Sequence, residues 1–279
     1  MKRPDRPPAS LVITGASRGI GAALAESYAA PGVTLGLLGR DGARLERIAA
    51  TCRERGATVT TATIDVRERD AMGDWLTRFD KENPVDLVIA NAGVSSSIGA
   101  AGAPETGADT WRTFDINLGG AINSIVPLID PMCRRGRGHI AVMCSLAALY
   151  GFPNTPAYSG SKAGLRMWAE ALGRAHHAAG ISVSVICPGF VVSDMSDRVI
   201  GSKPLMVSMA VATRRIRNGL DQQRRLIVFP ALLRWGIWFL GLLPEIAARP
   251  LLGLFAYRVA DTDGATMPPG QERTKPPGP

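Results

Sequence analysis

Short apolar runs recur along this chain at Leu11–Ile13, Val33–Leu38, Ala57–Ile64, Val85–Ala90, His139–Cys144 and Ile181–Cys187, separated by longer segments of helical spacing or composition. Runs of this length read as buried strands. Strands alternating with helices form β-α-β units, which pair into a parallel sheet covered by helices on both faces. The expected fold class is α/β: a doubly wound parallel sheet of about seven strands in a single domain, with a helical C-terminal extension. At 279 residues, 46% hydrophobic, the chain can bury one full core.

The first run leads into Thr14-Gly15-Ala16-Ser17-Arg18-Gly19-Ile20-Gly21, and a helical pattern continues through Leu24 and Tyr28. Glycines let the backbone turn sharply and let a pyrophosphate approach amide N–H groups at the positive end of a helix. Gly-rich turns are common; it is the position between strand and helix that points to a dinucleotide. The residue just past the second strand discriminates between dinucleotides, because a carboxylate there bonds a ribose 2′-hydroxyl whereas a cation accepts a 2′-phosphate. Here the strand ends Leu37-Leu38-Gly39-Arg40. Arg40, with Arg18 as a second cation, can make forked bonds to a phosphate, so the expected cofactor is NADP(H) rather than NAD. If both arginines are merely solvated, NAD stays open.

The formal charge of +8 comes from scattered residues, with no basic block interleaved with aromatics, so no nucleic acid partner is expected. Cys52, Cys133, Cys144 and Cys187 have no C-x-x-C or zinc spacing, and His139, His176 and His177 are poorly placed for a metal. No metal is expected, and the cysteines read as small hydrophobes in a reducing compartment. Met1–Ser10 lacks a secretory apolar region, which makes a cytoplasmic location the expectation.

Further motifs follow in order. Asp65-Val66 lies past the third run, Asn91-Ala92-Gly93 closes the fourth, and Asn117 stands in Asn-Leu-Gly-Gly. Ser145 follows the fifth, Tyr158-Ser-Gly-Ser-Lys162 comes next, and Pro188-Gly189 follows the sixth, with Val191 and Ser193 just beyond. From Leu11 to Ser193 the chain resembles the short-chain dehydrogenase/reductase family, a Rossmann-type fold. The resemblance implies that Gly15, Ser17, Arg18, Gly19, Ile20, Gly21, Arg40, Asp65, Val66, Asn91, Ala92, Gly93, Tyr158, Lys162, Pro188, Gly189, Val191 and Ser193 contact the cofactor. It places Asp65-Val66 at the adenine and Ser193, where the family often has Thr, at the nicotinamide carboxamide. It also implies catalytic roles for Ser145, Tyr158, Lys162 and Asn117, the last holding a water that relays protons to Lys162.

Reducing a carbonyl takes a hydride on carbon and a proton on oxygen, and the cofactor supplies only the hydride. Tyr158 and Lys162 are four apart at the start of an expected helix, so both project from one face. An ammonium near a phenol favours the phenolate, lowering a reference pKa of about 10. Tyr158 is then the general acid in reduction and the general base in oxidation, and Ser145 donates a hydrogen bond to the substrate oxygen.

Beyond about Asp194 the alternation is expected to stop. A basic stretch (Arg214, Arg215, Arg217, Arg224, Arg225) precedes the apolar segment Leu226–Leu243. Pro230 and Arg234 interrupt it, so it should not span a bilayer. An in-plane helix is expected, with Trp235, Trp238, Phe239 and Leu242 at the acyl boundary and Arg224, Arg225, Arg234 and Arg249 at lipid phosphates; Leu251–Tyr257 would extend the patch. A substrate lid and a subunit surface are the alternatives, and a homo-oligomer is expected. The division is a flexible lead over 1–9, the core over 10–193, the lid and apolar region over 194–260, and a disordered tail over 261–279.

The expected function is NADP(H)-dependent interconversion of a ketone and a secondary alcohol on a lipophilic small molecule, such as a 3-oxo lipid, a sphingoid ketone or a steroid-like compound. A 3-oxoacyl thioester reductase, a ketoreductase of surface-polysaccharide or secondary-metabolite assembly, and a non-catalytic NADPH sensor stay open.

Overall fold

The computed structural model describes residues 8–98, 103–197, 199–201, 203–244, 246–247, 250 and 257–259. Arg249, most of Leu251–Tyr257, the tail 261–279 and most of the lead 1–9 lie outside the described residues. Each of the six apolar runs contains a strand, with ends shifted by a residue or two: β1 (Ser10–Thr14), β2 (Thr34–Gly39), β3 (Thr58–Thr63), β4 (Leu87–Ala90), β5 (Gly138–Met143) and β6 (Ile181–Pro188). Between them run α1 (Gly19–Tyr28), α2 (Gly42–Glu54), α3 (Arg69–Glu82), α4 (Gly107–Phe114), α5 (Gly120–Arg135) and α6 (Pro156–Ala175).

The sheet is parallel and ordered β3-β2-β1-β4-β5-β6, with a seventh strand, β8 (Leu226–Phe229), beyond β6. Alternate residues along the strands feed two cores, as a period of two demands. Val12, Val88, Ile140, Val142 and Val185 meet Leu76, Ile125, Leu128 and Leu165 from α3, α5 and α6. Leu11, Ile13, Leu37, Ile89 and Ile186 meet Leu24, Leu45 and Ile216 from the other layer.

The alternation does not stop at Asp194. After the short α7 (Asp194–Asp197) and β7 (Val199–Gly201), α8 (Met209–Asp221) packs on α1, and β8 (Leu226–Phe229) adds the seventh strand beside β6. Part of the segment expected to be an in-plane helix is therefore sheet. Its four strand residues run straight into α9 (Ala231–Leu240), so the apolar sequence carries no boundary except Pro230. This also moves charge: Arg224 and Arg225 precede β8, at the opposite end of that strand from α9, and only Arg234 shares the helix. A last strand, β9 (Tyr257–Val259), pairs antiparallel with β7.

Candidate active site

Strand order reverses between β1 and β4, because the chain runs outward through β2 and β3 and returns on the other side of β1. A doubly wound sheet opens a crevice at such a point, beyond the C-terminal ends of its strands. A cleft of about 520 Å³ lies there. Every residue expected to hold the cofactor lines it except Gly21, and so do Ser145, Tyr158 and Lys162. Gly21 and Asn117 stand behind the wall.

The glycine turn is held from β4. The Asn91 side-chain amide donates to the carbonyls of Thr14 (3.0 Å) and Gly15 (3.2 Å), and the Thr14 hydroxyl accepts from the backbone N–H of Asn91 and Ala92. Gly15, at φ +64°, could not carry a Cβ without approaching Ala92 Cα to 2.9 Å, and a Cβ on Gly21 would lie 2.3 Å from the Gly15 oxygen. Gly19 differs: a Cβ there meets nothing within 4 Å. Its open side faces the cleft at the start of α1, whose cap, Arg18, makes no side-chain bond to the first turn. Unpaired N–H groups at a helix start beside open space suit a pyrophosphate, so these residues fit a dinucleotide.

Near the end of β2, Arg18, Arg40 and Arg44 all line the cleft. Arg40 lies 3.8 Å from Asp65, and Arg18 and Arg44 each lie 3.8 Å from Asp194. Asp41, the carboxylate nearest the end of β2, is engaged as the cap of α2: it accepts from Arg44 N–H (3.0 Å) and pairs with the Arg44 guanidinium (3.2 Å). The two hydrogen bonds from the Arg67 guanidinium hold the Asp65 carboxyl below its usual range, with smaller help from Arg40.

At the other end, Tyr158 and Lys162 rise from the first turns of α6. Lys162 is buried, donates to the Met143 carbonyl at 2.8 Å, and places its ammonium 5.9 Å from the Tyr158 ring centre. Burial pushes its pKa down. The Ser145 hydroxyl oxygen accepts from Ala147 N–H at 3.2 Å, which leaves its own proton for another acceptor. Asn117 lies in a π-helical turn, Asp115–Gly119, between α4 and α5, a local widening common at functional sites. Its side chain is committed: Oδ1 accepts from Val94 N–H (2.8 Å), and Nδ2 donates to the Val94 carbonyl and the Ser161 hydroxyl (both 3.0 Å).

Sequence reasoning missed several groups at this site. Arg44 reads as an ordinary helix-surface cation until the Asp41 cap turns it to the cleft. Glu105 accepts from Ala157 N–H at 3.0 Å and so holds the first turn of α6, which carries Tyr158. Leu233 lines the cleft from α9; with Ile237 it packs on Leu146 and Phe152 beside Tyr158. No local motif announces any of the three.

A model of the short chain dehydrogenase family matches residues 9–202. An uncharacterised oxidoreductase of Myxococcus xanthus is 29% identical over 253 residues, 89% of this chain and 96% of its own. A 3-oxoacyl acyl-carrier-protein reductase of Chlamydia trachomatis is 30% identical over 188 residues, 66% of this chain and 75% of its own. Among solved structures, a short-chain dehydrogenase from Sphingobium yanoikuyae in complex with NADPH has a TM-score of 0.74 at 23% identity, covering 88% of this chain and 95% of that one. A short chain dehydrogenase/reductase from Burkholderia phymatum in complex with NAD has a TM-score of 0.73 at 23% identity, covering 84% and 92%. At those identities the two structures speak for the fold alone. Fold, motif order and family match together identify the chain as an oxidoreductase belonging to the short-chain dehydrogenase family.

Proposed function

We propose that this protein reduces a lipophilic ketone with NADPH. The observation that carries the cofactor choice is the convergence of Arg18, Arg40 and Arg44 at the end of β2, while Asp41 is engaged as a helix cap. A carboxylate so engaged is poorly placed for a ribose diol, and three guanidiniums suit a 2′-phosphate. A dinucleotide held by the glycine turn and these arginines would supply the hydride. Tyr158 gives its phenolic proton to the carbonyl oxygen, and Ser145 donates to the same oxygen as charge develops there. Lys162, fixed on the Met143 carbonyl, favours the phenolate left behind. The bonds from Asn117 to Val94 and Ser161 fix its π-helical turn beside Lys162, where the turn could hold a water for proton resupply.

The ketone reading draws support from the Chlamydia relative, which is a 3-oxoacyl acyl-carrier-protein reductase. The lipophilic reading is supported by the wall beside Tyr158, which Leu146, Phe152 and Leu233 make apolar. Steady-state rates with NADPH and NADH over a panel of 3-oxo lipids, sphingoid ketones and steroid ketones test both parts. Preferred turnover of NADPH with a long-chain or polycyclic ketone is the expected result; a clear NADH preference overturns the phosphate role of the arginines.

Peripheral membrane contact is a second reading that one feature favours. The outer face of α9 and the turn after it leave Leu232, Trp235, Trp238, Phe239 and Leu242 each more than half exposed. Among the described residues no helix is long and apolar enough to cross a membrane, so contact would be in-plane. Flotation with anionic liposomes tests it, and a protein left wholly in the unbound fraction overturns it.

A further inference from the structure

Two cysteines that the proposed chemistry does not use stand opposite each other on neighbouring strands, one of them bordering the cleft. The register of β5 and β6 ends with Met143 facing Ile186, and the Cys144 N–H continues the ladder to the Ile186 carbonyl at 2.8 Å. The next lateral pair is Cys144 and Cys187. Laterally paired residues of a parallel sheet project to one face, and both side chains belong to the same core as Val142 and Val185. Cys144 borders the cleft although only 2% exposed, and its thiol donates to the Lys162 carbonyl at 3.7 Å, whereas Cys187 lies behind it and has no exposed surface. Neighbouring strands run about 4.8 Å apart, inside the Cα separation of about 4.4–6.8 Å that a disulfide spans.

The acidities are unequal in a useful sense. A hydrogen bond from the Cys187 thiol and the nearby Lys162 ammonium draw the Cys144 pKa down against its burial, while the same bond and burial push Cys187 up. The more acidic thiol is therefore the one on the residue that borders the cleft, and a hydroperoxide reaches it only when the wall around Cys144 opens.

We propose that Cys144 and Cys187 form a reversible redox modification site that reacts with hydroperoxides and switches the enzyme off. The Cys144 thiolate attacks the terminal oxygen of the hydroperoxide and breaks the O–O bond. Its sulfur is oxidised to a sulfenic acid, and the alkoxide takes up a proton and leaves as the alcohol. The sulfur of Cys187, giving up its proton, then attacks the Cys144 sulfur and expels the hydroxyl as water. Two thiols and one hydroperoxide become one disulfide, one water and one alcohol. Closing the bond brings the two Cβ atoms to about 3.8 Å, closer than parallel strands normally hold them, so the ends of β5 and β6 are drawn together. Ser145 follows Cys144 directly and Pro188-Gly189 follows Cys187, so both the substrate-oxygen donor and a wall of the cleft move. The same strain makes the bond easy for an external thiol to reduce.

The test treats the full-length protein with hydrogen peroxide, alkylates the remaining thiols, maps peptides by mass, and measures turnover before oxidation, after it, and after dithiothreitol. The expected result is a Cys144–Cys187 linked peptide lighter by two hydrogens, loss of most turnover, and recovery on reduction. Cys187→Ala should accumulate a Cys144 sulfenic acid that dimedone traps, whereas Cys133→Ala should link as the wild type does. Mapping reads the pair without any carbonyl substrate, so a wrong ketone assignment leaves this test intact, and wild-type mapping decides the matter if the alanine variant does not fold. Oxidised wild type in which both residues remain free thiols, or linked protein with undiminished turnover, overturns the proposal.

Discussion

At Gly93 it is the missing side chain that lets the site assemble. A Cβ there would stand 3.0 Å from Asn117 Oδ1 and 3.3 Å from Lys162 Nζ. Asn117 cannot yield freely, because the same oxygen accepts from Val94 N–H, so Lys162 must shift. Gly93→Ala should fold and still bind the dinucleotide, yet lose about tenfold in kcat, since sub-ångström misplacement of a catalytic group is costly. Stopped-flow binding beside steady-state kinetics checks this; an unchanged kcat contradicts it. Gly93, Asn117, Ser145, Tyr158 and Lys162 were legible in the sequence because each belongs to an ordered set of motifs around a glycine turn. Arg44 and Glu105 were not: one depends on how Asp41 caps a helix, the other on a loop reaching a helix start distant in sequence. A single sequence records neither relation.

Among the elements, α6 bears most directly on function, and its first turn depends on Glu105. That carboxylate takes the Ala157 N–H and also accepts from the Ser96 hydroxyl at 2.9 Å, joining the loop after β4 to the helix that presents Tyr158. A carboxylate at a helix N-terminus typically contributes about 1 kcal/mol. Glu105→Ala should lower stability by about that much and reduce kcat more than it raises the KM for dinucleotide, as urea unfolding and steady-state kinetics would register. An effect on dinucleotide KM alone contradicts a positioning role. Most strands were readable to within a residue or two because buried parallel strands are continuous apolar runs; β3, at the sheet edge, is Thr-rich with no buried residue, and was legible from its β-branched composition. β8 escaped because its four residues merge with the equally apolar α9. That helix turns Leu233, Ile237 and Leu240 inward and Leu232, Trp235 and Phe239 outward, so it has no polar face to mark its limits.

For the molecule as a whole, the sheet order creates the crevice and the buried polar groups tie its stability to pH. His139 on β5 is buried, and burial pushes its pKa down to about 4. Ser184 donates to the Arg224 carbonyl at 2.7 Å and lies 2.8 Å from His139 Nε2, so that nitrogen carries the hydrogen as the donor of a neutral ring. An unfolded chain takes up the proton near pH 6.5. Between these values the unfolded state binds more protons, so stability is present above about pH 6.5 and falls as pH drops toward 4, by up to about 3 kcal/mol. Asp65, whose carboxyl is held down by Arg67, gives up its contribution only at still lower pH. Chemical unfolding from pH 7.5 to 4 should show the His139 loss, and His139→Gln should flatten it; identical slopes in the two proteins contradict the assignment.

The central claim is that the Tyr158 phenol delivers the proton in carbonyl reduction. It is tested most directly by single-turnover reduction of a ketone by Tyr158→Phe with NADPH, alongside a titration of dinucleotide binding. The variant should bind the dinucleotide as the wild type does and reduce the ketone at least about 100-fold more slowly. Reduction at a rate close to that of the wild type, with binding intact, would contradict the account.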